Sequence, residues 1–276
     1  MADTPPLIDD QNVRLRQCRH GPMLYSTKDI YIGRSLDLYG EFSEGEVHFF
    51  GQVLQPGMIA IDVGANIGCH TVFMAKRVGP GGAVIALEPQ RIIHQMLCAN
   101  VDLNRLLNVR ALHAAAGAED GGIAVPDIDY GTEGNFGSIA LGGKDGKQVR
   151  VATIDGLALP ACHLLKADVE GMEADVIRGA TETIKAHCPA LYVENDRREK
   201  SPDLIELLLG LDYRLYWHFT RLFNPDNFQG EAENVFGEVV SMNMIGMPKA
   251  LEQNMGDLTE ITDPADWPEM VNSDAR

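Results

Sequence analysis

Short apolar runs alternate with helical patterns through the middle of the chain. The runs lie at residues 59–61, 83–87, 108–113, 164–167 and 190–193. After the first run, Ile67, Thr71, Met74 and Val78 recur at spacings of four, three and four, which places them on one face of a helix. Runs that are apolar along their whole length are typical of strands buried on both faces of a parallel sheet. The pattern therefore predicts an α/β fold built from five strand–helix units.

The alternation changes near the end of the chain, where two extended runs at 213–218 and 235–245 follow each other without a helix. A late hairpin of this kind predicts a last strand that lies antiparallel beside the fifth parallel strand. A dehydrogenase-like chain would instead end in a parallel strand reached through another helix. We therefore expect a seven-stranded sheet closed by an antiparallel hairpin, with a single helix over 172–186 after the fourth strand.

The pattern also predicts the organisation of the chain. The predicted parts are an N-terminal tail and small cap (1–55), the main domain (56–248), a glycine-rich β-hairpin insertion within it (118–150) and a loosely packed C-terminal tail (249–276). In the cap, 23–25 and 30–32 are candidate strands, and Ser43 is expected to begin a helix with Glu46 as its capping-box partner. The tip of the insertion, 135–138, is expected near a ligand.

Composition argues against several classes of partner and location. The chain has 40 acidic and 23 basic residues, a net charge of −17 and a pI of about 4.8, which disfavours a nucleic-acid partner. No apolar run reaches the roughly 18 residues of a membrane span, and the first residues do not resemble a signal peptide. The five cysteines include no C-x-x-C pair, which indicates reduced thiols and a cytoplasmic location. Homo-oligomer formation stays open.

The first apolar run ends in an acid and a glycine turn, Asp62 to Gly68. Gly64 and Gly68 permit close approach of backbone to a ligand, and the residues nearby, Ala65 and Asn66, are small or polar. A dinucleotide-binding turn has glycine where this chain has Asn66, and Asp62 would repel a pyrophosphate. The acid instead suits a cationic group such as an ammonium. We predict that these five residues bind a nucleotide-like ligand, the alternative being an ordinary strand–helix turn.

Glu88 and Ala115 extend the predicted ligand site along the sheet edge. Glu88 ends the second run at the distance from the glycine turn where an acid accepts hydrogen bonds from two ribose hydroxyls. Ala115 belongs to a run of small residues after the third strand. Small residues leave room for a flat ring such as adenine, although they serve close helix packing equally well.

The fourth run ends in two acids, Asp168 and Glu170. Residues two apart in an extended segment point to the same side, and paired acids raise one another's pKa or hold a divalent ion. We predict both as catalytic and assign no metal ligand, because the pair has no third clear ligand, and we expect activity that depends weakly or not at all on a metal. A metal site stays open as an alternative, but it has no His or Cys cluster behind it. The alternative is that one acid only caps the next helix. Further candidate bases are Glu194, His70 and His218.

A cluster of aromatic residues is a candidate pocket for the methyl acceptor, the alternative being that it is simply core. Its members are Tyr216, Trp217, Phe219 and Phe223.

Three stretches together resemble the FkbM family of S-adenosylmethionine-dependent methyltransferases. They are Asp-Val-Gly-Ala-Asn-Ile-Gly at 62–68, Glu88-Pro89 and Lys-Ala-Asp-Val-Glu-Gly at 166–171. Ala167 departs from the pattern, since an apolar β-branched residue is more usual there. The resemblance implies the class I methyltransferase (Rossmann-like) fold, S-adenosylmethionine as cofactor, and methyl transfer to a hydroxyl of a small molecule or carbohydrate. The alternatives are a non-catalytic cofactor-binding protein on this fold and a nicotinamide-dependent oxidoreductase.

Overall fold

A mixed sheet of eight strands organises the molecule. The computed structural model describes residues 8–143, 145–251 and 254–268. In chain order the strands are β1 (Ile8–Asp9), β2 (Val13–Cys18), β3 (Gly21–Ser26), β4 (Ile59–Val63), β5 (Ala83–Leu87), β6 (Val109–Leu112), β7 (Ala115–Ala116), β8 (Gly121–Val125), β9 (Lys147–Ala152), β10 (Leu164–Ala167), β11 (Ala190–Glu194), β12 (Tyr213–Arg221), β13 (Val240–Pro248) and β14 (Glu260–Ile261). The main sheet has the order β14-β12-β13-β11-β10-β4-β5-β6.

The strand directions confirm the predicted topology but not the predicted number of strands. Strands β6, β5, β4, β10 and β11 are parallel, and β13 lies antiparallel between β11 and β12. The prediction of seven strands is wrong, because β14 pairs antiparallel with β12 as an eighth. Ile261 in β14 is 1% exposed, so this stretch is not part of a loosely packed tail. A strand of two residues is too short to leave a periodic signal.

Helices cover both faces of the sheet, which explains why the strands are apolar throughout. The helices are α1 (Ile32–Tyr39), α2 (Glu44–Val53), α3 (Cys69–Val78), α4 (Arg91–Leu103), α5 (Glu173–Arg178), α6 (Thr181–His187) and α7 (Ser201–Gly210). Adjacent residues of β10 point to opposite faces, and Leu164 and Leu165 belong to two different core clusters. Leu164 shares its cluster with Met74 of α3, and Leu165 shares the other with Val176 of α5.

The single helix predicted over 172–186 is wrong, because the chain forms α5 and α6 with a break at Gly179. A Cβ at Gly179 would lie 2.0 Å from the carbonyl oxygen of Gly117, so only glycine allows this close contact. The carboxylate of Asp155 then accepts hydrogen bonds from the backbone N–H groups of Glu182 and Thr183, at 3.1 and 2.8 Å. These bonds cap the start of α6 from outside the helix.

The cap contains the small sheet β1-β2-β3 and the helices α1 and α2. The strand predicted at 30–32 is wrong, because α1 begins there. Oδ1 of Asp29 accepts hydrogen bonds from the N–H groups of Tyr31 and Gly33, at 2.9 and 3.1 Å, which favours a helix start. Helix α2 forms as predicted, but its capping box does not. The hydroxyl of Ser43 donates to Oε1 of Glu46 at 2.9 Å instead of capping a backbone N–H.

The glycine-rich insertion is a hairpin at its base and irregular at its tip. Strands β8 and β9 pair antiparallel, as predicted, and residues 126–143 between them form neither helix nor strand, apart from one isolated bridge. Within the described ranges, every helix is too short or too polar to traverse a lipid bilayer. The domain boundaries at 55, 118, 150 and 248 stay predictions.

Candidate functional site

The turn after β4 brings backbone close to the carboxyl end of β10. Gly64 has a φ of 73°, and a Cβ there would lie 1.8 Å from the carbonyl oxygen of Asp168. Asn66 also has a positive φ, of 50°, and Gly68 precedes α3 with a φ of 90°. Ala65 between them is buried. Glycine is therefore required at position 64, since the atom it faces is rigid backbone.

Glu88 connects the turns after β4 and β5. Its Oε2 accepts a hydrogen bond from the N–H of Asn66 at 3.0 Å, and its Oε1 accepts one from the N–H of Gln90 at 2.8 Å. Burial raises the pKa of Glu88 to about 7, against the opposing effect of these two bonds. A carboxylate has about four lone-pair sites, so this group can also accept ribose hydroxyls. Its place beside the glycine turn fits the predicted role, which stays a prediction.

Asp62 lies beneath the turn and is paired with a buried lysine. Its Oδ2 accepts a hydrogen bond from the hydroxyl of Thr71 at 2.6 Å, and its Oδ1 lies 3.3 Å from Nζ of Lys166. The same Nζ lies 3.4 Å from Oδ2 of Asp168. Burial opposes the charge of Lys166, but Asp168 and Asp62 outweigh it and raise the pKa of the ammonium. The ammonium of Lys166 thus forms ion pairs with two carboxylates, one in β4 and one directly after β10.

The predicted catalytic acids meet a third acid at the end of β11. Carboxylate oxygens of Asp168, Glu170 and Glu194 lie within 4.8 Å of one another. Glu170 has a φ of 58° and has left the strand, yet it still reaches Asp168. Its Oε2 accepts hydrogen bonds from the hydroxyl of Ser138, at 3.1 Å, and from the guanidinium of Arg197. This spacing suits a shared proton or a divalent cation.

Burial and mutual repulsion favour protonation in this cluster. Burial, followed by the charge of Asp168, raises the pKa of Glu170 to about 7. Burial also raises the pKa of Glu194 well above its usual range, with further contributions from Asp168 and Asp196. An acid with a pKa near 7 exchanges a proton readily at neutral pH, which is what a general base requires.

A second group of buried polar side chains lies on the cap side of the edge. Oε1 of Glu46 accepts hydrogen bonds from Ser43, from Thr220 at 3.5 Å and from Asn243 at 3.4 Å. Its Oε2 lies 3.9 Å from Nε2 of His70, which has no hydrogen-bond partner in the described part of the chain. Burial lowers the pKa of His70, so its ring is neutral at pH 7.

Other predicted residues are not brought to this cluster. Ala115 is buried in β7 and pairs with Val151, so its predicted adenine contact stays untested. Tyr216 and Trp217 are adjacent in β12 and pack into different core clusters on the two faces of the sheet. They cannot line one pocket, which leaves a core role for both. His218 shares a hydrogen bond with the hydroxyl of Tyr192, at 2.9 Å.

Several residues in the site were not identified from the sequence. These are Glu46, Gln90, Lys166 and Arg197, whereas Ser138 lies in the tip at 135–138 that is expected near a ligand. Lys166 alone carried a signal, because a lysine inside an otherwise apolar strand must have a buried partner. The others come from the cap, the turn after β5 and the loop after β11, and their approach depends on tertiary structure.

Comparisons with known proteins show similarity to methyltransferases. A family model described as the methyltransferase FkbM domain matches residues 62–215, which is more than half of the chain. Methyltransferase FkbM from Methylobacillus flagellatus KT is 18% identical over 72% of this chain, with a TM-score of 0.47, and the chain spans 50% of that protein. A Streptococcus mutans protein solved in complex with SAH is 14% identical over 74% of this chain and 96% of its own, with a TM-score of 0.43. The search of curated proteins finds no match.

Proposed function

The chain belongs to the FkbM methyltransferase family, and we propose that it transfers a methyl group from S-adenosylmethionine to a hydroxyl oxygen of a small molecule or carbohydrate. The observation that carries the proposal is the cluster of Asp168, Glu170 and Glu194 at the carboxyl ends of β10 and β11. A hydroxyl acceptor must lose its proton during transfer, and this cluster contains an acid whose pKa is about 7.

The residues at the sheet edge fit S-adenosylmethionine. Gly64 lets the turn after β4 pack against the backbone of Asp168, and Glu88 beside this turn offers acceptor sites for the ribose. Oε2 of Glu194 is buried without a hydrogen-bond partner in the described ranges. Buried polar atoms of this kind are usually satisfied by a ligand or water. When bound, the cofactor supplies a methyl group already activated by its sulfonium, so the protein has only to position the acceptor and take its proton.

Within the acid cluster, we assign Glu170 as the group that takes the proton of the acceptor hydroxyl. Both of its hydrogen bonds use Oε2, and Oε1 accepts none from the described residues. Oε1 is therefore the oxygen that takes the acceptor's proton. Asp168 is half-exposed and tied to Lys166, so we assign it to shaping the methyl-transfer position.

The charges around the cluster support transfer without a metal ion. Lys166 and Arg197 bring two cations to four carboxylates, because Lys166 also pairs with Asp62, and the raised pKa of Glu194 favours its protonated form. The remaining charge then needs no divalent ion for compensation. In the assay described below, we expect activity to persist in EDTA, and loss of activity restored by magnesium would contradict this part of the proposal.

The acceptor is proposed to be a small molecule or carbohydrate because the net charge of −17 opposes a polyanionic partner. The five free cysteines support a cytoplasmic setting.

S-adenosylmethionine is the cofactor, so the nicotinamide-dependent alternative falls away. A non-catalytic protein on the same fold is separated from an enzyme only by detection of a methylated product.

The test is methyl transfer from tritiated S-adenosylmethionine to a panel of sugars and hydroxylated small molecules. Glu170→Gln keeps size but removes basicity, so we expect kcat to fall by about 10²–10⁴-fold with cofactor affinity within a few-fold of the parent. Asp168→Asn should lower cofactor affinity and rate together. Labelled product with no effect of Glu170→Gln would place the base elsewhere, and no product from any hydroxyl acceptor would contradict O-methylation.

A further inference from the structure

The irregular tip of the insertion runs along the whole predicted cofactor path. Residues 129–138, here named the cover segment, contact the sheet edge at three successive points. From its start to its end, the segment contacts first Gln90, which lies beside Glu88, then the glycine turn and last Glu170. The order of these contacts along the chain is therefore their order along the sheet edge. Of residues 126–143, Phe136 alone is buried, and the rest are exposed or half-exposed. Gly134 is also tied to the cap by backbone hydrogen bonds with Lys28 and Ile30, at 3.0 and 3.2 Å.

The first contact joins the cover segment to the ribose side of the site. The hydroxyl of Tyr130 donates to Oε1 of Gln90 at 3.0 Å, and Nε2 of Gln90 donates to the carbonyl oxygen of Phe136 at 2.8 Å. The N–H of the same Gln90 donates to Glu88. Tyr130 and Phe136 pack edge to face, with ring centroids 4.9 Å apart. One glutamine therefore ties the predicted ribose-binding acid to an aromatic pair on the cover segment.

The second and third contacts lie at the glycine turn and at the acid cluster. A Cβ at Gly137 would lie 3.4 Å from Nδ2 of Asn66, so the backbone of the cover segment passes directly over the turn. The hydroxyl of the next residue, Ser138, donates to Oε2 of Glu170. The hydroxyls of Tyr130 and Ser138 thus each make one side-chain hydrogen bond to the sheet edge, and these bonds can break without unfolding the β8–β9 hairpin below them.

We propose that the cover segment closes over bound S-adenosylmethionine and controls its release, with Tyr130 and Ser138 as the side chains that hold it shut. Opening requires loss of the Tyr130–Gln90 and Ser138–Glu170 hydrogen bonds, and also of the bond from Gln90 to the carbonyl oxygen of Phe136 and of the core packing of Phe136, whereas the β8–β9 base stays paired. Ser138 is therefore also a positioning residue for Glu170. The inference rests on the proposed placement of the cofactor between Glu88 and Glu170.

The experiment measures binding and release of S-adenosylhomocysteine on the immobilised full-length protein by surface plasmon resonance. Tyr130→Phe and Ser138→Ala each remove one hydroxyl, so each should speed release by about 3- to 10-fold, the size expected for one hydrogen bond, with association within twofold. Thr132→Ala is the matched control, since this exposed hydroxyl bonds only to the carbonyl oxygen of Asp129 within the same segment, and it should leave release unchanged.

Hydrogen exchange supplies a second readout that does not depend on a substitution. The amides of the cover segment should gain protection when S-adenosylhomocysteine is added, while those of β8 and β9 change little. Parental release rates in both hydroxyl variants, or no added protection over 129–138, would overturn the proposal. Failure of the parent protein to bind S-adenosylhomocysteine would overturn the cofactor placement itself. Normal binding with unchanged release rates would instead overturn only the role of the cover segment.

Discussion

Lys166 shows how one buried side chain determines the charge of the site. It is 2% exposed and stands opposite Asp62 in the β4–β10 register. Without its ammonium, Asp62 would be a buried and unpaired carboxylate, which costs several kcal/mol. With the ammonium in place, one positive charge faces the two negative charges of Asp62 and Asp168, so the group keeps one net negative charge. The edge thus favours a cationic ligand group while its two central strands stay paired.

The proposed ribose-binding role of Glu88 predicts that cofactor binding depends on pH. Its pKa of about 7 in the folded protein lies above the usual 4.5 for glutamate. Ribose hydroxyls donate to the ionised carboxylate, so binding favours loss of the proton. We therefore expect the affinity for adenosine, which has the ribose but no amino-acid part, to rise about tenfold between pH 6 and pH 8 and then level off. Isothermal titration calorimetry across this range measures the effect.

The control for this prediction is Glu88→Gln, whose affinity should be weaker and independent of pH. An affinity for adenosine that is flat in the parent protein would show that Glu88 does not bind the ribose. The same pKa shift acts on stability in the opposite direction. The unfolded carboxyl ionises near 4.5 while the buried one keeps its proton to about 7, so the ligand-free protein loses stability as pH rises through this window.

At the scale of elements, the sequence was informative where a pattern is long or chemically specific. The apolar runs predicted all five parallel strands, because strands covered on both faces leave a continuous signal. The glycine turn and the strand-end acids predicted a site at the carboxyl edge of the parallel strands, and this location stays a prediction. Element boundaries in the cap were harder to predict from the sequence. The start of α1 depends on the carboxylate of Asp29, whose hydrogen bonds to backbone N–H groups compete with the β-propensity of 30–32. The approach of Arg197 and Ser138 to Glu170 depends on loops without any periodicity.

Strand β14 is expected to contribute measurably to stability despite its length. Ile261 is 1% exposed and packs in the same core cluster as Leu215 of β12, its partner in the register. Ile261→Ala should lower the free energy of unfolding by about 2–4 kcal/mol, as for other truncations in a packed core. Urea denaturation followed by circular dichroism measures this change. Val239→Ala, at a position that is 38% exposed, is the matched control and should change stability by less than about 0.5 kcal/mol.

An effect of Ile261→Ala no larger than that of the control would restore the description of this stretch as a loose tail. The consequence reaches beyond one residue, because the main-domain boundary predicted at 248 excludes β14. If β14 supports the edge of the sheet, a chain that ends at 248 exposes the row of unpaired backbone groups along β12.

At the scale of the whole molecule, the proposed cofactor site joins parts of the chain that are distant in sequence. The turns after β4, β5 and β10, the cover segment and the loop after β11 meet at one edge of the sheet. A ligand that contacts these segments binds only the folded chain, so its binding free energy adds to the stability of the whole fold. Ligand-induced stabilisation is therefore a global measure of whether the site has been located correctly.

We expect S-adenosylhomocysteine at 100 times its dissociation constant to stabilise the protein by about 2.7 kcal/mol, which raises Tm by roughly 5 °C for a chain of this size. NAD carries the same adenosine but adds a pyrophosphate, whose negative charges would face Asp62 and the cluster of Asp168, Glu170 and Glu194. Like charges at such a distance disfavour binding, so NAD at the same concentration should raise Tm by less than about 1 °C. Differential scanning fluorimetry with both ligands measures this contrast. Equal shifts for the two ligands would mean that the acids do not face the ligand, and the placement of the methyl-transfer site at Asp168 and Glu170 would then be wrong.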